Sequence, residues 1–274
     1  MISPMVKMQS TIDIPRMIEV RYVLLYLALG LLSCQPSQQE MKTPSESEQT
    51  ALPKWITIDY VMGRFDPSEH EDFVKIDEAH ADREGLYLRT DAYEDFKAMH
   101  AAAQADGVSL VIRSAARNFE YQKGIWERKW FGTTQLSDGS KASDIAEPKA
   151  RALKILLYSS MPGSSRHHWG TDIDLNSFNN EYFDSGEGKL VYDWLKKHAA
   201  DYGFCQPYTD KSEGRTGYEE ERWHWTYLPI SIQLTQYCEL YLKDNMISGF
   251  AGSNVSTDIG VVRQFVLGIA SECK

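Results

Sequence analysis

Four residues in two short stretches have the types and spacing for metal-dependent hydrolysis. SRHHWGTDID carries His167 and Asp174, and ERWHW, about fifty residues on, carries Glu221 and His224. Two imidazoles and one carboxylate hold a zinc ion and leave its fourth position open for water. A glutamate three residues before the last histidine is placed to take a proton from that water. Manganese, nickel and cobalt also suit nitrogen and oxygen donors, but a three-ligand hydrolytic site favours one zinc ion.

The elements that must position these groups are legible nearby. Gly170 permits a tight turn between His167 and Asp174. On a strand, Asp172 and Asp174 share one face while Ile173 and Leu175 face the core. Either aspartate is a candidate ligand; Asp172 is alternatively a partner that orients His167 or His224. Residues three apart on a regular strand point to opposite faces. Glu221 therefore joins His224 only from the turn entering the strand, with Trp223 and Trp225 flanking His224 on the other face. His168 points away from the metal on extended chain. His70, His80, His100 and His198 read as structural or solvent-facing.

SRHHWGTDID resembles the Ser-x-His-x-x-Gly-x-x-x-Asp motif of VanY-like D-alanyl-D-alanine carboxypeptidases, and ERWHW resembles their Glu-x-x-His-Trp motif. A third segment, SAARNFEYQ, is similar to that family's Ser-Gly-Tyr-Arg-Ser-x-x-x-Gln. The three motifs keep the family's order and run from Ser114 to Trp225; together they are specific, whereas each alone is weak. The chain departs from the pattern at Ala115-Ala116, at Asn118 and at Asp172, where a small residue is usual. The resemblance implies zinc ligands His167, Asp174 and His224, with Glu221 as general base and then acid to the leaving amine. It implies that Arg117 stabilises the oxyanion and that Ser165 and Gln122 contact substrate. It further implies a compact α+β zinc-peptidase fold shared with the hedgehog signalling domain, a small antiparallel sheet with surrounding helices.

A carboxypeptidase must also recognise a terminal carboxylate, and Arg113 is a second cation in reach of that task, although an ordinary surface ion pair fits it equally. The expected activity is removal of a terminal D-alanine from peptidoglycan stem peptides. An L,D-carboxypeptidase or a peptidoglycan endopeptidase would use the same chemistry. A catalytically silent zinc-containing module is the reading from another class; Glu221 and Arg117 beside a full ligand set argue against it.

The bulk numbers set the frame. At 274 residues, 42% hydrophobic and 12% aromatic, the chain is globular. Its net charge of −10 is the opposite of a nucleic-acid binder's basic stripe. Arg21, the apolar run Tyr22 to Leu32 and Ser33-Cys34 have the shape of a signal peptide ending in a lipobox. The run is shorter than the ~20 residues of a membrane span. Residues 1–33 are thus expected to be removed, with Met17 an alternative start. Cys34 would then be lipidated and residues 34–53 form a flexible tether. The peptidase domain would occupy 54–274. The protein is expected as an exported, monomeric lipoprotein of the cell envelope or periplasm, with Gln35 pointing to the outer membrane. Oxidising surroundings favour one disulfide among Cys205, Cys238 and Cys273; Cys238 with Cys273 is preferred, since both lie in the helical C-terminal part.

Periodicity and punctuation predict helices over 91–105, from Asn118 to Trp130, from Pro148 to Tyr158, over 190–202 and from Pro229 to Lys243. Asp258 is expected to cap a last helix reaching Ser271. Strands are expected over 108–112, 171–175 and 223–227.

Overall fold

The computed structural model describes residues 52–274. The expected export signal, Cys34 and nearly all of the expected tether lie outside the described residues. A one-turn helix, α1 (Ile58–Val61), is followed by an antiparallel pair, β1 (Phe73–Lys75) and β2 (Tyr87–Arg89). Helix α2 (Thr90–Ala105) leads to β3 (Ile112–Ser114) and helix α3 (Phe119–Trp130). Helix α4 (Pro148–Ile155) precedes β4 (Asp172–Leu175) and helix α5 (Gly186–His198). Then come β5 (Phe204–Cys205), β6 (His224–Tyr227), helix α6 (Leu228–Tyr241) and the short α7 (Ser256–Ile259). The second sheet is four-stranded and antiparallel, in the order β3-β4-β6-β5. This is the expected α+β arrangement.

Helix starts follow local chemistry. The Asn118 side chain accepts from the amide of Tyr121, and Glu147 accepts from Lys149 and Ala150 just before Pro148. Packing is divided between two apolar clusters. One face of the four-stranded sheet, with Ile173, Leu175 and Trp225, packs on Phe96 and Met99 of α2 and Trp194 of α5. The other cluster gathers Trp126 and Trp130 of α3, Leu156, Leu234 of α6 and Val266. Each such fully buried side chain contributes about 1.5–3 kcal/mol. The polar face of the sheet is left to Asp172, Asp174 and His224.

The structure corrects three expected elements and the expected disulfide. The strand expected over 108–112 pairs only from Ile112. Ahead of it, Asn176 pins Val111, its side chain accepting from the Val111 amide at 3.3 Å and its amide donating to the Val111 carbonyl at 2.9 Å. The helix expected over 190–202 begins at Gly186. The last expected helix is broken: Asp258 lies inside α7 rather than capping it, and Gly260 at φ 71° ends the turn. The disulfide joins Cys205 to Cys273, with Cα atoms 5.8 Å apart. The Ala270 amide bonds the Pro207 carbonyl at 2.9 Å and so holds the C-terminal segment beside β5. Cys238 instead faces the core from α6 as a buried thiol; burial pushes it up to about 12.

Candidate metal centre and active site

Strand register brings the first two donors together. Asp174 of β4 lies directly opposite His224 of β6, the closest side-chain relationship an antiparallel pair allows. His167 stands on the tight turn Arg166–Trp169, which ends at Gly170 in the left-handed conformation, φ 71°. One ligand atom from each of His167, Asp174 and His224 lies within 4.8 Å of the others, and all three residues are buried.

The partners of each ring decide which nitrogen faces the centre. His167 Nδ1 lies 2.8 Å from the Ala115 carbonyl oxygen, which can only accept, so Nδ1 carries the proton. Its Nε2 is therefore bare, 3.2 Å from Asp174 Oδ2. His224 Nε2 lies 2.8 Å from Asp172 Oδ2 and donates to it. Its bare Nδ1 then sits 3.0 Å from Asp174 Oδ1 and 3.3 Å from Glu221 Oε2. Lone pairs thus converge on one point from three sides, and Asp174 Oδ1 is buried without a hydrogen-bond donor. Two imidazoles in their neutral forms with one carboxylate, aimed at one point, fit a zinc ion.

Electrostatics agree with the geometry. Burial alone would raise the Asp174 carboxyl, but His167 and His224 outweigh it and hold the group ionised. Burial lowers His167, and Arg117 adds to that, which keeps the ring neutral. Burial also opposes charge on His224, yet Asp172, Asp174 and Glu221 outweigh it and raise its proton affinity. A metal cation competes for the place of that proton. Glu221 lies on the turn just before β6, in the placement that its three-residue spacing requires. Burial raises its carboxyl above the usual range and makes it a stronger base, with His224 pulling the other way.

Asp172 occupies the second position rather than the ligand position. Besides His224, its carboxylate accepts from Thr171 and Thr226 hydroxyls at 2.7 and 2.6 Å and from Arg166 Nε at 3.2 Å. Arg166 is buried and spends its other nitrogens on Thr235 and Thr226, both at 3.0 Å. The departure from a small residue at 172 is therefore matched by a buried arginine and two threonines, and together they fix the His224 ring.

Arg117 is half-buried beside the centre, its Nη1 3.1 Å from Ser114 Oγ and 4.0 Å from Asp174 Oδ2. Its backbone is clamped: its amide donates to the His167 carbonyl at 3.0 Å, and its carbonyl accepts from His168 Nδ1 at 2.6 Å. His168 also accepts from the Gly163 amide at 3.0 Å, so it braces the turn and faces away from the ligands. Arg117 Nε, Gln122 Oε1 and Ser165 Oγ are buried without partners among the described residues, and all three residues line one cleft of about 870 Å³ beside the ligands.

Arg113 is not in that cleft. Its Nε pairs with Asp82 Oδ2 at 2.5 Å, its Nη1 donates to the Asn176 carbonyl at 2.8 Å, and it stacks over Phe178. Ile112 pairs with Leu175 and Ser114 with Asp174, so Arg113 is the extra residue of a register shift in β3, and its side chain leaves the site face for Asp82 and Asn176. Trp225 flanks His224 on the far side as expected, packed in the core opposite Ile173. Trp223 does not; it precedes the strand and lines the cleft.

Three site residues carry no motif signal strong enough to be found beforehand. Tyr208 packs on His224 with ring centroids 4.7 Å apart, and its carbonyl accepts from the Glu221 amide at 2.9 Å. Arg166 sits inside the first motif at a variable position. Lys129 enters the cleft from α3, and only its seven-residue spacing from Gln122 hints at a shared helix face.

Residues 85–230 match the VanY family, D-alanyl-D-alanine carboxypeptidase. A D-alanyl-D-alanine carboxypeptidase of Enterococcus faecalis (strain ATCC 700802 / V583) is 26% identical over 199 residues, 73% of this chain and 68% of that one. Among solved structures, VanYB in complex with D-alanine-D-alanine is 25% identical with a TM-score of 0.46, covering 63% of this chain and 86% of that one. A variant of the vancomycin resistance D,D-pentapeptidase VanY, in complex with Zn(II), is 25% identical with a TM-score of 0.43, covering 58% of this chain and 85% of that one.

Proposed function

The chain belongs to the VanY family of D-alanyl-D-alanine carboxypeptidases, and we propose that it is a zinc-dependent carboxypeptidase that trims the terminal D-alanine from peptidoglycan stem peptides. One observation carries the reading: three buried donors with their lone pairs aimed at one point, and a basic carboxylate 3.3 Å from the nearest of them. When bound, zinc supplies Lewis acidity toward water and the scissile carbonyl.

The protein's own groups do the rest. Glu221 takes a proton from the attacking water and returns it to the leaving amine, a transfer for which its raised carboxyl suits it. Arg117 meets the negative charge that develops on the carbonyl oxygen, a contribution of about 2.7–4 kcal/mol to the barrier for groups of this kind. Gln122 and Ser165 offer their unpartnered oxygens to the peptide.

The remaining sequence supports a cellular setting. The apolar run ending at Cys34 and the polar stretch behind it suit a lipid anchor and tether, which would hold a monomeric enzyme at an envelope membrane, the outer one on the evidence of Gln35, facing its wall substrate.

Mass spectrometry of pentapeptide and tetrapeptide muropeptides incubated with the zinc-loaded domain tests the reading. The expected result is loss of one alanine from pentapeptide, with Glu221→Ala slower by about 10²–10⁴-fold while still binding zinc. Loss from tetrapeptide alone would move the assignment to L,D-specificity. No cleavage of either, with zinc demonstrably bound, would reject it.

A further inference from the structure

Resting on the carboxypeptidase reading, we propose that Lys129, together with the Ser159 hydroxyl it bonds, is the anchor for the terminal carboxylate of the substrate peptide. The Arg113 assignment has failed, so the cleft needs another cation for that charge. The candidates narrow quickly. Arg166 is committed to Asp172, Thr226 and Thr235. Arg222 pairs with Asp184 and Glu220 outside the cleft. Arg117 stands over the ligands, where the scissile carbonyl must lie.

Lys129 is different. Its ammonium lines the cleft and bonds the Ser159 hydroxyl, a neutral partner, and among the described residues no carboxylate lies within ion-pair distance of it. A largely buried ammonium without a counter-ion is costly. It carries three N–H donors and has used one. Burial disfavours its charge and Arg117 adds repulsion, while Glu221 opposes both, so it lies within the field of the catalytic groups. An incoming anion would relieve that position.

The helix sets the distance. Gln122, Ile125 and Lys129 recur at spacings of three and four residues and line the cleft from one face of α3. Seven residues of helix advance about 10 Å along the wall. Arg117, just before α3, therefore marks the reacting end and Lys129 the outer end. The substrate's last residue extends only about 3.8 Å past the scissile bond, a gap that the long lysine side chain can span by folding back toward Gln122. Ser159, buried, adds a hydroxyl that can donate to the same carboxylate. A pocket of this kind separates a carboxypeptidase from an endopeptidase, because an internal peptide bond presents no charge there.

The test compares Nα,Nε-diacetyl-L-lysyl-D-alanyl-D-alanine, which has one carboxylate, with its C-terminal carboxamide. Wild-type protein is expected to favour the acid by about 10–100-fold in kcat/KM, the value of a charge-assisted hydrogen bond. Lys129→Met should erase that preference through KM, with kcat and zinc stoichiometry kept, and Lys129→Arg should restore it. A preference unchanged in Lys129→Met, or no preference in the wild type, overturns the proposal while leaving the carboxypeptidase reading intact. A third peptide, with a side-chain carboxylate at the lysyl position and an amidated end, separates the other source: a Lys129→Met loss confined to it also overturns the assignment. If the wild type cleaves none of the peptides with zinc bound, the carboxypeptidase reading falls and this proposal with it.

Discussion

Asp172 shows how a single residue can matter at one remove from the chemistry. Its carboxylate fixes the proton of His224 on Nε2 and so leaves Nδ1 for the metal. It also balances Arg166, whose charge is fully buried. Asp172→Asn removes the charge but keeps the shape. We expect zinc affinity to fall about 10–100-fold, the usual effect of removing a ligand's supporting partner. Competition with a chromogenic chelator would measure this; unchanged affinity would mean that the His224 ring is held by packing alone. The same variant should also lower the melting temperature, since Arg166 is left without its counter-ion.

At the scale of elements, the site depends on three short strands and two turns. Gly170 joins the ligand turn to β4, and its φ of 71° lies where other residues are strained. A Cβ there would stand 2.2 Å from the Phe73 ring and 3.0 Å from Arg89 Cγ. Backbone strain alone costs about 1–2 kcal/mol, and the clash with β1 and β2 adds to it. Gly170→Ala should therefore lower the melting temperature and, by moving His167 relative to Asp174, weaken zinc binding as well. Retention of both would contradict this account of the turn. Helix α3 is the complementary case: it starts at Asn118 through an ordinary cap and presents Gln122, Ile125 and Lys129 to the cleft while Trp126 and Trp130 anchor it in the core.

Across the whole molecule, the centre lies between two separate apolar clusters, with ligands from the β4–β6 pair and from the turn before it. Without a metal, the bare His167 Nε2 faces the Asp174 carboxylate at 3.2 Å, and a proton on His224 takes the metal's place at 3.0 Å from the same carboxylate. Metal binding therefore stabilises the fold as well as creating the site, by about 2.7 kcal/mol when zinc is at 100 times its Kd. Chelation should lower the melting temperature of the intact domain and zinc should restore it. A transition indifferent to zinc would show that the donors relax apart without it.

The sequence by itself supplied the candidates for the chemistry: the three ligand types, a glutamate three residues before His224, and Arg117 and Gln122, in one ordered set of motifs. It also set most helices, because caps such as Asn118 and Pro148 act over a few residues. Only the tertiary structure decided what depends on contacts distant in the chain. The partner of Cys273 followed from the Ala270–Pro207 bond, Arg113 was turned outward to Asp82, and Asp172 was assigned to His224 by strand register and by Arg166. Lys129 could be recognised only once α3 was seen along the cleft wall. Local signals specify which groups are available; which of them share a volume is fixed by packing between segments far apart in sequence, and no short motif encodes that.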